Sequence, residues 1–219
     1  MKKSNKRLFK IIGENKGFIL FILLMTIFRS ALADWNSVPS GSMQPTIVEG
    51  DRILVNKIAY DLHLPFSHVS LHKFADPKRG DIVIFDSKVS EIRLVKRVVA
   101  IPGDIVQMSN NQLKINGQLA DYQIITSYGD TEDRLENLLG IEHSIRVHKT
   151  HSRASSFTAV RIPEGFYMAL GDNRDNSADS RFIGLIPRNE IIGRTQSVVM
   201  SFDYNNFYLP RGDRFLKKF

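Results

Sequence analysis

The hydrophobic and polar positions divide the chain into two stretches of different character. Residues 17–28 (GFILFILLMTIF) form an apolar run free of charge, closed by Arg29. Counted on through Ser30-Ala31-Leu32-Ala33 to Trp35, the run has 19 residues. As a helix that is about 28 Å, just enough to cross a bilayer core. Arg29 would then snorkel toward the outer interface, with Trp35 anchored there. Beyond Trp35 the pattern changes to short strand-like runs at residues 53–55, 81–85, 92–101, 112–115 and 165–170. Turn chemistry separates them at Pro77-Lys78-Arg79-Gly80, Pro102-Gly103-Asp104 and Asn116-Gly117. Asn116-Gly117, between LKI and QLA, predicts a tight hairpin. Helical periodicity past the apolar run is confined to residues 131–139. The stretch 121–156 is more polar and less patterned, and reads as part of an inserted subdomain or a long surface excursion. The pattern as a whole predicts a mainly β protein behind an N-terminal transmembrane helix.

Charge orients this picture. The formal net charge is +7, but residues 1–16 hold six basic residues and one acid, leaving 24 basic and 22 acidic residues elsewhere. A basic arm ahead of an apolar run marks a cytoplasmic flank, so the N-terminus is expected inside and everything after Trp35 outside. No basic stripe crosses the remainder, so no nucleic-acid partner is expected. The tail RGDRFLKKF mixes bases with aromatics and suits either an anionic lipid surface or plain solvent. The expected organisation is a basic arm at 1–16, a single-pass anchor at 17–35 and an extracytoplasmic β domain at 36–219. A cleavable signal peptide ending at Ala31-Leu32-Ala33 is the alternative for the first 33 residues. Cleavage there would leave Ser42 nine residues from the new N-terminus, and an uncleaved anchor is the expectation. The chain contains no cysteine, which excludes disulfides, zinc–thiolate sites and thiol catalysis.

Three segments carry the candidate chemistry. Val38-Pro39-Ser40-Gly41-Ser42-Met43-Gln44-Pro45-Thr46 directly follows the apolar run. Its prolines stiffen the chain and Gly41 permits an unusual backbone angle. A serine held in such a turn can present both its hydroxyl and its N–H to a carbonyl; a polar linker is the plainer alternative. In residues 92–104, strand alternation puts Lys96 on one face with Ile92, Leu94, Val98 and Ala100, and Arg93 and Arg97 on the other. A lysine aimed at an apolar surface has a depressed pKa, and a neutral amine can take a proton from serine without histidine. The alternative is a lysine whose stem packs while its head reaches solvent. GDNRDNSADSR, residues 171–181, is dense in hydrogen-bonding groups between apolar segments. It fails the EF-hand calcium pattern, and a polar network orienting a buried group accounts for it better than a solvated turn. His63, His68 and His72 are spaced unlike any standard ligand pair and HExxH is absent, so they read as surface or structural residues and no metal site is expected.

Together these segments resemble the bacterial type I signal peptidases, and in detail their Gram-negative branch. PSGSMQPT (39–46) resembles the family's serine box, and GDRILVNK (50–57), KRGDIVIF (78–85), VKRVVAIPGD (95–104) and GDNRDNSADSR (171–181) match its other boxes in order and spacing. The resemblance covers most of the chain from Val38 onward. It implies an antiparallel β fold of the kind shared with LexA, carrying an inserted β subdomain around 105–165. It implies that Ser42 is the nucleophile and Lys96 the general base, with the Ser42 N–H and the Ser40 hydroxyl forming the oxyanion hole. Ser177 would hydrogen-bond and orient Lys96, and Asp179 and Arg181 would pair to hold that support. Val38, Pro39, Met43, Ile84, Leu94 and Val95 would help line shallow apolar pockets suited to Ala-x-Ala sites. The family pattern turns Val95 toward substrate, whereas alternation turns it away from Lys96; strand twist or a bulge must reconcile the two. The chain departs from the pattern at Phe182-Ile183, where many relatives carry two aromatics, in showing one apolar run rather than two, and in a short 121–156 segment.

The expected partners are exported preproteins and the bacterial inner membrane, with a monomeric enzyme whose catalytic domain faces the periplasmic side. The expected reaction is acyl transfer, which implies no metal or organic cofactor. Neutral Lys96 takes the Ser42 proton, the oxygen attacks the carbonyl after the last small residue of the signal peptide, and a lysine-activated water releases the acyl-enzyme. A LexA-like self-cleaving protein would need a DNA-binding domain where the arm and apolar run stand. An inactive binding module would have lost Ser42, Lys96 or the loop. A dedicated maturase with few substrates remains an open alternative to a general processing enzyme.

Overall fold

The computed structural model describes residues 13–67, 69–150 and 152–219. Most of the basic arm, residues 1–12, and His68 lie outside the described residues. Helix α1 (Lys16–Ala31) leads directly into strand β1 (Ala33–Ser37). The strands that follow are β2 (Asp51–Asn56), β3 (Asp61–His63), β4 (Ser70–Lys73), β5 (Ile82–Ser87), β6 (Ile92–Ala100), β7 (Ile105–Ser109), β8 (Gln112–Ile115) and β9 (Gln118–Leu119). Then come β10 (Asp121–Tyr128), β11 (Thr131–Asn137), β12 (Glu142–His148), β13 (Phe157–Arg161), β14 (Phe166–Leu170), the one-turn helix α2 (Ser180–Ile183), β15 (Ile186–Pro187), β16 (Ile191–Asp203) and β17 (Leu209–Pro210). The expected mainly antiparallel β architecture is observed. The largest sheet runs β1-β2-β16-β5-β6-β14-β15, with β17 on β16. Residues 105–161 supply two smaller sheets, β13-β7-β8-β9 and β10-β11-β12.

The helix stops earlier than the hydrophobic run suggests. Residues 33–35 pair with β2, Trp35 opposite Leu54, instead of extending α1. Lys57 Nζ ends the helix by donating to the carbonyls of Arg29 at 2.8 Å and Ser30 at 3.1 Å, and Asp34 draws the Arg29 guanidinium in at 2.7 Å. A cation on the last carbonyls also complements the helix dipole. Arg29 lies over the Trp35 ring, 4.5 Å from its centroid. The 16 residues of α1 rise about 24 Å, and among the described residues no helix is long and apolar enough to cross a membrane. Most of its apolar side chains, Phe18 and Phe21 among them, are exposed.

Residues 131–139 form no helix. Thr131–Asn137 is β11, paired on one side with β10 and on the other with β12. The two ladders override the helical propensity of Glu132, Arg134, Leu135 and Glu136. The Asn116-Gly117 hairpin forms as expected, joining β8 to β9 with both turn residues at positive φ, 50° and 85°.

Alternation along the central strands sorts the core. Ile82 and Ile84 of β5 face one cluster with Val38, Met43, Ile47, Ile53, Val55 and Val198. Val83 and Phe85 face another with Tyr60, Val98, Tyr167, Ala169, Ile186 and Ile191. A third cluster joins the ends of β6 and β14 to Val106, Met108, Leu113 and Ile115 of the smaller sheet.

Candidate active site

Ser42 sits in a tight bend that the core holds from below. Val38 donates its N–H to Asp51 O at 2.8 Å, and the side chains of Val38, Met43 and Ile47 enter the first cluster. Gln44 N–H donates back to Gly41 O at 3.1 Å and Ile47 N–H to Met43 O at 2.9 Å, closing the bend. Gly41 and Met43 are buried while Ser42 between them remains partly exposed. Ser40 is exposed, its Oγ 3.5 Å from that of Ser42.

Lys96 meets this bend from β6. It lies on the strand between Leu94 and Val98, opposite Val83, all in the second cluster. Only 2% of its surface is exposed. Nζ donates to Ser42 Oγ at 2.7 Å and to Val95 O at 3.0 Å. Burial pushes the amine down to about 8, a shift that the more distant charges of Asp179 and Asp172 partly oppose. The β5–β6 ladder runs through Val95 and Lys96 without a bulge. Val95 pairs with Ile84 and packs against the cluster that contains Val38 and Met43, while Lys96 faces the other way and its amine turns back to the Val95 carbonyl.

Arg97 does not seek water as alternation of three cations suggests. It is buried and forms a bidentate pair with Asp172, at 2.8 and 2.7 Å, and donates to Gly80 O at 3.0 Å. Arg93 alone stays exposed, paired with Asp86. Burial drives the Asp172 carboxyl upward, but the Arg97 guanidinium and the other donors outweigh it and hold it below the usual range.

The loop 171–181 closes the site from above, and most of its polar residues have a partner from another segment. Asn173 donates its N–H to Ser42 O at 3.1 Å and its Nδ2 to Gly41 O at 3.0 Å. Arg174 pairs with Glu136 of β11, and Asp175 accepts from Asn111 Nδ2, His148 N–H and Ser152 Oγ. Asp179 caps α2, accepts the Gly171 N–H at 3.0 Å and takes Arg181 in a bidentate pair at 2.8 and 2.7 Å. Arg181 also donates to the carbonyls of Ala154 and Arg174. Gly171 has to be glycine, since any side chain there would collide with Ser177 Oγ and the Ser42 carbonyl.

Two expectations are corrected. The Ser177 hydroxyl does not bond Lys96: its Oγ is buried beside Gly171 with no partner among the described residues, and the amine's bonds there go to Ser42 and Val95. Val38, Met43 and Ile84, expected as pocket lining, are closed inside the first cluster with 0–4% exposure. Strand β5 is covered by β16 and β6 on its two edges, and the serine bend lies over its face, so these residues form the floor under Ser42. Leu94 packs with the second cluster, on the face opposite Val95. Pro39 is exposed and Val95 half-buried beside the bend.

Sequence inspection missed Asn173, the Arg97–Asp172 pair and the Arg174–Glu136 pair. The loop's polarity was the available signal. The partners come from segments 38 to 132 residues away, and nothing in the loop names them. Arg146, bonded to Asp133 of β11 and to Gln44 of the bend, was likewise unmarked.

Comparison with known proteins follows the same residues. The sequence model of the family described as signal peptidase, peptidase S26, matches residues 13–200. A signal peptidase I of Pseudomonas fluorescens is 34% identical over 208 residues, covering 88% of this chain and 73% of its own. Signal peptidase I of Pseudomonas aeruginosa is 34% identical over 92% of this chain and 76% of its own. Signal peptidase I T of Bacillus subtilis is 31% identical over 92% of both chains.

Proposed function

The chain belongs to the signal peptidase family, peptidase S26, and from that premise we propose that it cuts signal peptides from exported preproteins with Ser42 as nucleophile and Lys96 as general base. The family is one of serine endopeptidases, and signal peptidase I enzymes of several bacteria are similar to this chain over most of its length. The observation that carries the residue assignment is the 2.7 Å contact between Ser42 Oγ and a lysine amine that is buried beside it and makes no ion pair among the described residues. Burial favours the neutral amine, whose lone pair then accepts the serine proton as the oxygen attacks the scissile carbonyl. The Ser42 N–H, which has no acceptor among the described residues, and the Ser40 hydroxyl receive the developing negative charge. Protonated Lys96 passes its proton to the departing amine and then draws one from the water that releases the acyl group. Once Ser42 carries that group its oxygen is a poor partner. The Val95 carbonyl, 3.0 Å from Nζ, then keeps Lys96 in place. Asp179 and Arg181 hold the loop that carries Ser177. Pro39 and Val95 border the cleft where a small side chain would enter.

The exposed apolar side chains of α1, with the basic arm ahead of it, suit attachment to the bacterial inner membrane with the β domain on the outer face. Residues 105–161 act as a subdomain that buttresses the loop through Glu136, Arg146 and Asn111. The test is cleavage of a preprotein bearing an Ala-x-Ala site by the detergent-purified chain, with the cut located by mass spectrometry. Wild type cuts after the last alanine, while Ser42→Ala and Lys96→Ala lose at least about 10⁴-fold in kcat. A Lys96→Ala variant that cuts at the wild-type rate overturns the assignment of the base.

A further inference from the structure

The peptide bond between Gly41 and Ser42 is gripped along one edge only. Its carbonyl oxygen accepts from Asn173 Nδ2 at 3.0 Å and from the Gln44 N–H at 3.1 Å. Its N–H points from the opposite edge of the same planar unit, and it meets no acceptor among the described residues. Fixing the carbonyl therefore fixes where the N–H points.

Asn173 is itself held on every side. It is 4% exposed, and its own N–H donates to Ser42 O at 3.1 Å. Its two neighbours are laced to β12: Arg146 N–H donates to Asp172 O at 2.8 Å, and Arg174 N–H to Arg146 O at 2.9 Å. The side-chain amide has one workable orientation, because turning it over would set oxygen against the Gly41 oxygen. That orientation leaves Oδ1 buried without a partner among the described residues. A buried acceptor with no donor is unfavourable. Stability alone would not select an asparagine here, and the contact to Gly41 is what the side chain contributes.

We propose that Asn173 is a positioning residue that aims the Ser42 N–H at the substrate oxyanion by holding the far edge of the Gly41–Ser42 peptide. The proposal rests on Ser42 being the nucleophile. Removing an oxyanion donor outright costs about 10²–10³-fold in kcat. Loss of Asn173 leaves the Gln44 contact in place and misaims the donor without deleting it, so a smaller loss, about 30-fold, is expected.

The experiment uses the full chain in detergent, comparing wild type, Asn173→Ala and Ser42→Ala on an Ala-x-Ala preprotein. A peptide aldehyde ending at the cleavage residue serves as transition-state mimic, since its adduct with serine carries the oxyanion. The matching peptide acid serves as ground-state control. Expected for Asn173→Ala are kcat and aldehyde affinity both down about 30-fold, KM and acid affinity within threefold, and an unmoved acidic limb in the kcat–pH profile. A loose fold would degrade both ligands, and a displaced Lys96 would move the limb. The proposal falls if kcat and aldehyde affinity stay within threefold of wild type, if KM carries the loss, or if the limb shifts. Should Asn173→Ala fail to fold, Asn173→Ser, whose hydroxyl is too short to reach Gly41 O, decides by the same readouts. Ser42→Ala separates the two failures. If it cleaves, the premise is wrong; if it is inert while Asn173→Ala is unimpaired, only the positioning role is wrong.

Discussion

On β6 two adjacent cations leave the strand on opposite faces and enter two different kinds of interior. Lys96 is surrounded by Val83, Leu94 and Val98, with the Ser42 hydroxyl and the Val95 carbonyl as its hydrogen-bond partners and no carboxylate in contact among the described residues. Arg97 enters a pocket already occupied by Asp172, which takes both guanidinium donors and a further bond from Thr46 Oγ. Behind it a second buried pair, Arg174 with Glu136, has His143 Nε2 at 3.0 Å. Burial drives the Glu136 carboxyl upward, and Arg174 and His143 together hold it well below the usual carboxylate range. A buried cation with a partner stays charged and serves as framework; one without a partner is pushed toward neutrality and becomes available for proton transfer. The two kinds of interior are one residue apart because strand alternation sends neighbours to opposite faces.

Breaking the paired side produces the largest change in stability. Asp172→Ala leaves Arg97 charged and buried, which costs about 3–5 kcal/mol. The effect is measurable as a lowered urea midpoint of the detergent-solubilised chain. Replacing both partners together, Arg97→Met with Asp172→Leu, removes the charge along with its counter-ion and recovers most of that loss. If the double variant is as unstable as the single one, the pair matters for its bonds to Gly80 and Thr46 more than for its charges.

Removing the unpaired cation has the opposite sign. Lys96→Met abolishes cleavage yet stabilises the fold at pH 7 by about 2 kcal/mol, since it relieves the burial of an amine that the unfolded chain solvates freely at a pKa of about 10.4. The bond to Ser42 lost in exchange is worth about 1 kcal/mol. The folded-state value is depressed to about 8. Below pH 8 the amine is charged in both states and the cost is felt in full. From pH 8 to about 10.4 the native chain has released a proton that the unfolded chain keeps, and the cost shrinks as pH rises. The stability gap between Lys96→Met and wild type therefore closes over that window, as urea midpoints at pH 7, 9 and 10.5 would record. Wild-type kcat/KM rises about tenfold per unit up to pH 8 and levels beyond it. A limb well below pH 7 would mean that Lys96 has a carboxylate-like competitor for the role of base.

The contrast on β6 also marks the limit of what the sequence discloses. Local chemistry was legible: the β runs, the Asn116-Gly117 hairpin and the apolar placement of Lys96 follow from alternation and turn residues, and the serine bend from its prolines and glycine. What depends on distant partners was not. Arg97 looked like a surface residue because Asp172 is 75 residues away. Residues 131–139 looked helical because strands β10 and β12 on either side are invisible to local propensity. Val38 and Met43 looked like pocket lining because their own segment does not reveal that β2, β5 and β16 close over them. The helix end was hidden for the same reason, since Lys57, which caps it, lies in a different element.

Arg93 provides the third environment on the same strand and the smallest effect. Its guanidinium pairs with Asp86 at 2.8 and 3.0 Å, the geometry that Arg97 makes with Asp172, but the two side chains are 42% and 38% exposed. The hydrogen bonds to Asp86 raise its pKa against an opposing effect of partial burial. Water competes for both partners at this depth, and ordering two long side chains offsets much of the attraction. Arg93→Ala is therefore expected to cost under about 1 kcal/mol, to lose most of even that in 0.5 M salt, and to leave cleavage within twofold of wild type. The Asp172→Ala loss should hardly respond to the same salt, because buried charges are screened little. Equal salt sensitivity in the two variants would show that solvent reaches Arg97 as freely as Arg93, and that depth on β6 does not separate framework cations from surface ones.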